Sequence, residues 1–226
     1  VSQLPLPLGH RSALGREDFL VAPGNEEAVA WLDRWPDWPS PALLLHGPPG
    51  CGKSHLAQVF AATSGARVIT GTPDLVLHPP TLLNGVRAVV IDDVDRALEA
   101  GVAEGSLFHL YNAAKEGGRH LLLTARRPAS AWGIRLPDLA SRLHAAPAVA
   151  INPPDDDVMA AVLVKMFADR QLRIGTEVIA YLLRHMERSF SAARAVVDAA
   201  DRLSLAERRA ITVPLLKRLL GMNDVL

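Results

Sequence analysis

The chain has a single cysteine, Cys51, which excludes an internal disulfide framework and a cysteine-rich metal site. That scarcity points to a reducing compartment, and the cytoplasm is the expected location. Neither sign of charge is in excess: 24 Lys and Arg stand against 24 Asp and Glu. There is thus no net field to hold nucleic acid or an anionic membrane, and direct sequence-specific DNA binding is not expected. Long apolar runs are missing too; the strongest, near 42–45, 86–91 and 121–123, have the length of strands rather than membrane spans. The first residues show no basic stretch followed by a continuous apolar segment, so no secretory signal is expected and the N-terminal residues are expected to stay on the mature protein. Internal repeats and low-complexity tracts are absent. The eight histidines, at 10, 46, 55, 78, 109, 120, 144 and 185, include no pair at metal-ligand spacing.

With 226 residues the chain can bury one substantial core and a small satellite. Apolar strand-sized runs (ALLLH, ARVIT, VRAVVIDD, HLLLTA, AVAI) alternate with helical patterns (EEAVAWLDRW, KSHLAQVFAATSG, SLFHLYNAAKEGG, LPDLASRLH). Such alternation predicts an α/β fold, a mostly parallel sheet covered by helices on both faces, because parallel pairs need crossovers. From residue 155 every pattern is helical, which predicts a second, all-helical unit. The expected divisions are an arm over 1–16, the α/β domain over 17–153 and the helical domain over 154–226. Asp155 to Asp157 read as a helix cap rather than a metal cluster. Trp31, Trp35 and Trp38 flank a proline-stiffened connector at 34–41 and are expected to pack the helix before it, with a partner surface as the other reading.

The stretch HGPPGCGKS carries Gly47, Pro48, Pro49, Gly50, Cys51, Gly52, Lys53, Ser54 and then His55 in the P-loop pattern, between a strand and a helix. Glycines let backbone N–H groups turn toward a phosphate, and the helix start adds positive potential. Lys53 reaches the outer phosphates, and the Ser54 hydroxyl is a ligand for Mg²⁺. Cys51 reads as a small loop residue, with redox control as the minor alternative. VVIDD ends a strand with Asp92, suited to hold Mg²⁺, and Asp93, suited to polarise an attacking water. Thr124 ends the strand LLLTA at the same sheet edge, either facing the nucleotide or capping the strand.

Together these stretches resemble the AAA+ ATPases and, within them, the DnaA-like replication proteins. GPPGCGKS is similar to Walker A, VVIDD to Walker B, Thr124 to sensor 1 and the helical end to an AAA+ lid. LPDLASRL resembles the segment carrying the arginine finger, which implies that role for Arg142; a helix-end cation paired with Asp138 is the plainer reading. LGREDFLVAPGNEEAVAWL resembles the segment whose Phe19, Leu20 and Val21 wall the adenine. The sequence given ends at Leu226 without the helix-turn-helix domain by which DnaA reads its origin, and the interval from Lys53 to Asp92 is short. Both features narrow the resemblance to the Hda (HdaA) type, regulatory inactivators of DnaA.

Proteins of that type carry a QL-x-L-x-L-like motif for the DNA polymerase sliding clamp, and QLPLPL at 3–8 is similar to it. The resemblance implies that Gln3 sets the register while Leu4, Leu6 and Leu8 supply apolar contacts, the prolines holding the arm extended beforehand. One departure stands out: Ser191 falls where a sensor 2 arginine is expected, with Arg194 one turn later as a substitute or a solvated lid residue. The implied function is a regulator bound to ADP or ATP with Mg²⁺. It would dock on the clamp, and so sit at the nucleoid, and its Arg142 would stimulate ATP hydrolysis by DnaA. The competing expectation is a self-assembling, homo-oligomeric ATPase of the clamp-loader or helicase-loader kind.

Overall fold

The computed structural model describes residues 21–70, 78–207 and 209–221. Gln3, Leu4, Leu6, Leu8, Phe19 and Leu20 therefore lie outside the described residues. The rest divides into two compact units between Asn152 and Pro153.

The first unit is built on five parallel strands, β1 (Ala42–His46), β2 (Arg67–Thr70), β3 (Ala88–Asp92), β4 (His120–Ala125) and β5 (Ala148–Ala150), in the spatial order β2-β3-β4-β1-β5. The apolar runs of β1, β3 and β4 follow from burial on both sides, while the edge strands β2 and β5 are partly exposed. Alternate residues feed two separate cores, as a period of two requires. Leu44, Val89, Ile91, Leu121 and Leu123 enter one cluster, which receives α3 (Pro79–Leu83), α4 (Val94–Glu99), α5 (Glu104–Glu116) and α6 (Pro137–Ala145). Leu43, Leu45, Val90, Leu122 and Val149 enter the other, covered by α1 (Glu26–Asp33) and α2 (Lys53–Ser64). The expected layering is thus present, and α3 and α4 are additional short helices.

The strand order decides which strand ends meet. Because β4 lies between β3 and β1, Leu123 pairs with Ile91 while Thr124 pairs with Leu45. The end of β4 thereby reaches the ends of both neighbours. Behind the sheet, the proline connector packs inward. Trp38 stacks on Phe60 with ring centroids 5.6 Å apart and donates its indole N–H to the Trp31 carbonyl at 2.7 Å, while Trp35 meets Phe60 edge-on at 5.7 Å. The tryptophans therefore hold the connector against α2, consistent with the packing role.

The second unit consists of α7 (Asp156–Asp169), α8 (Thr176–His185), α9 (Phe190–Glu207) and α10 (Val213–Leu219) around its own core, including Leu163, Phe167, Leu182, Val197 and Leu216. Asp155 caps α7, its carboxylate accepting the Val158 N–H at 2.8 Å. No helix among the described residues is long and apolar enough to cross a membrane.

Candidate functional site

Between β1 and α2 the P-loop is shaped by its glycines. A Cβ on Gly47 would meet the Ile151 carbonyl oxygen at 2.2 Å, so the loop can lean on the end of β5 only without a side chain there. Gly50 and Gly52 hold φ of 74° and 105°, a region costly to other residues. Gly52 is the N-cap of α2 and offers no side-chain cap. The leading amides of the helix are thus available to an outside acceptor, and the helix end is positive.

Lys53 is buried and its Nζ donates to the carbonyls of Gly47 at 2.8 Å and Pro48 at 2.9 Å. Among the described residues it makes no ion pair with a carboxylate. A buried cation at a helix N-terminus without an anionic side chain is a poor arrangement for stability and a good one for a polyphosphate. Pro48, Pro49, Ser54 and His55 are exposed around it. Burial and the charge of Lys53 lower the pKa of His46, favouring a neutral ring. Cys51 is buried beneath the loop, and desolvation pushes its thiol pKa up despite Lys53. An inaccessible, protonated thiol speaks against redox control at this position.

Opposite the loop, Asp92 ends β3. Its Oδ1 accepts the hydroxyl of Ser54 at 3.1 Å and that of Thr124. The Thr124 hydroxyl also accepts the Asp93 N–H at 2.9 Å. Thr124 is fully buried, so it acts on the site by holding Asp92 and the turn after it. Asp93 has a φ of 56° and lies 3.6 Å from the Arg96 guanidinium. A hydroxyl and a carboxylate brought together at the loop form an oxygen-only donor set, which fits Mg²⁺ beside a phosphate.

Asp95 is a residue that sequence reasoning passed over. Its side chain is fully buried and accepts the Arg126 backbone N–H at 3.1 Å and the Arg126 Nε–H at 3.3 Å. Glu99 in turn pairs with Arg126 and Arg127. The third acid of IDDVD and the two arginines after LLLTA were the available signal, but 31 residues separate the partners. This network ties the turn after β3 to the turn after β4, either side of Thr124. We expect Asp95→Ala to cost about 3 kcal/mol, because it removes a buried carboxylate that holds both the Arg126 backbone amide and its guanidinium. Urea unfolding measures this, and a loss below about 1 kcal/mol would contradict the assignment.

Val21 is partly buried against the α1–α2 core cluster. Its segment is fastened beside the end of β5, where Asn152 N–H donates to the Gly24 carbonyl at 3.0 Å. Arg142, on α6, is half-buried, with its guanidinium 4.8 Å from the Phe108 ring centroid and 5.6 Å from that of Tyr111. No ion pair to Asp138 occurs among the described residues; the aromatic rings take that place. Arg194 and Ser191 are exposed on α9 in the helical unit.

Comparison with known proteins agrees with this architecture. Residues 43–128 match the family model of the ATPase family associated with various cellular activities (AAA), and residues 155–220 match that of the Hda lid domain. An uncharacterized protein of Haemophilus influenzae is 25% identical over 97% of this chain and 99% of its own. Domain III of the replication initiation protein DnaA from Thermotoga maritima superposes with a TM-score of 0.77 at 20% identity, covering 96% of this chain and 98% of that one. AMPPCP-bound DnaA from Aquifex aeolicus does so with a TM-score of 0.66 at 21% identity, covering 89% and 70% respectively. The two units are thus matched in sequence order, an AAA module followed by an Hda-type lid domain, on a DnaA-like AAA+ fold.

Proposed function

We propose that this chain is a nucleotide-bound regulator of replication initiation that docks on the sliding clamp and stimulates ATP hydrolysis by DnaA through Arg142, supplied in trans. Gly47 to His55 would hold ADP or ATP, with Lys53 on the outer phosphates. Ser54 and Asp92 would hold Mg²⁺, and Val21 together with Phe19 and Leu20 would wall the base. The bound nucleotide supplies anionic charge that neutralises Lys53 and the α2 terminus. Asp93 is suited to polarise a water, with Thr124 keeping the turn in place.

The observation that carries the trans reading is the location of Arg142. Its helix packs in the core on one face of the sheet, while α2, which the P-loop leads into, packs in the core on the other. Arg142 is also unneutralised by any carboxylate among the described residues, leaving its charge for an external phosphoryl group. Hydrolysis promoted by this chain would accordingly take place in a neighbouring molecule.

The arm tests the partner. A pull-down with the clamp should capture the intact chain and fail when Gln3, Leu6 and Leu8 are alanine. Equal capture of both would refute clamp docking. Steady-state hydrolysis by the chain alone, rising steeply with its own concentration, would instead support the self-assembling ATPase.

A further inference from the structure

We infer that one side of α5 is a mount for Arg142, with Glu104 and Phe108 as positioning residues that fix the direction in which the guanidinium is presented. The inference rests on the trans-acting role proposed for Arg142 and names the residues that would set its geometry.

The approach to α6 poses a local problem. Its N-cap is Leu136, which has no side-chain acceptor, and its first residue is Pro137, which has no N–H. The preceding amides need an acceptor from elsewhere. Glu104 provides it from the first turn of α5: its carboxylate accepts the Arg135 N–H at 3.1 and 3.0 Å and the Leu136 N–H at 2.7 Å. This carboxylate therefore lies between the positive ends of two helices, a favourable place for negative charge.

The other end of the mount lies further along α5. Positions 104, 108 and 111 are spaced i, i+4 and i+7, so they share one side of the helix. Phe108 and Tyr111 lie under the Arg142 guanidinium, and this side of α5 thus fixes α6 at its start and the charged tip in its last turn. Leu139 and Leu143 fill the interval between the two attachments, buried in the same core as Leu107 and Leu110. A guanidinium resting on aromatic faces keeps its charge, and its N–H groups remain free of a carboxylate that would compete with phosphate. An arginine that must enter another molecule's site gains from such restraint, since small misplacements of a catalytic group are costly in rate.

The test uses the full chain, DNA-loaded clamp and ATP-loaded DnaA, and reads stimulated hydrolysis against concentration of the chain. Glu104→Ala and Phe108→Leu should each lower the maximal stimulation about tenfold while the half-saturating concentration stays unchanged. Glu104→Gln keeps a neutral acceptor and should restore most of the loss. Nucleotide binding by each variant should match the unaltered chain. If Arg142→Ala stimulates normally, the trans role and the mount fall together. If Arg142→Ala is inactive while Glu104→Ala and Phe108→Leu stimulate fully, the mount alone is overturned. A change in half-saturation with unchanged maximum would also overturn it, marking Glu104 as a partner contact. Should Glu104→Ala fail to fold, Glu104→Gln and Phe108→Leu decide, and full activity in Phe108→Leu refutes the inference.

Discussion

Replacing Arg142 with alanine should lower the stimulation of DnaA hydrolysis by a factor on the order of a thousand while leaving nucleotide and clamp binding intact. The size reflects what a guanidinium does when it enters a phosphoryl-transfer site from a neighbour: it neutralises charge that develops on the transferred group, where water cannot reach. The selectivity comes from geometry. The helix of Arg142 packs in the core opposite α2, and the contacts of its guanidinium are the rings of Phe108 and Tyr111, so its removal leaves the P-loop untouched. Lysine at 142 should recover little, because it lacks the planar fork that rests on aromatic faces and grips oxygen pairs. Undiminished stimulation by Arg142→Ala would refute the assignment.

Lys53→Met should weaken binding of Mg-ADP and Mg-ATP by more than about a hundredfold, since charge-assisted hydrogen bonds contribute roughly 1.5–3 kcal/mol each. Calorimetric titration reads this directly. The same variant should not unfold more easily in the absence of nucleotide. It trades a buried ammonium, held by the Gly47 and Pro48 carbonyls and the Cys51 sulfur and by no carboxylate, for an apolar chain of similar length. The unaltered chain should gain about 2.7 kcal/mol at nucleotide concentrations a hundred times the Kd, and the variant should gain none. A variant that still binds tightly would remove the basis for a nucleotide-controlled regulator.

The parts of this molecule legible in its sequence were those written in consecutive residues. All five strands are built around short apolar runs, and the helical unit shows helical patterns over four consecutive segments. By contrast, α3 and α4, with five and six residues, are too short to display a helical period. The meeting of Thr124 with Asp92 and Asp93 depends on β4 inserting between β3 and β1, and the spatial order of strands is not the chain order. Asp95 with Arg126, and Glu104 with the start of α6, join residues about thirty positions apart, beyond the reach of any local pattern. The aromatic seat of Arg142 was hidden for the same reason, and the nearer Asp138 was the natural but unused partner.

The apolar strands have a further consequence. Because β1, β3 and β4 bury both faces with nearly interchangeable aliphatic side chains, sliding one past another by a residue would expose nothing costly, and hydrophobicity alone cannot forbid such slippage. The polar ties at the carboxyl ends, Thr124 to Asp92 and Asp93 and Asp95 to Arg126, are what make one alignment unique. The groups proposed to hold Mg²⁺ and an attacking water are thus also the rivets of the sheet, and under that proposal selection for folding and selection for activity act there on the same few atoms.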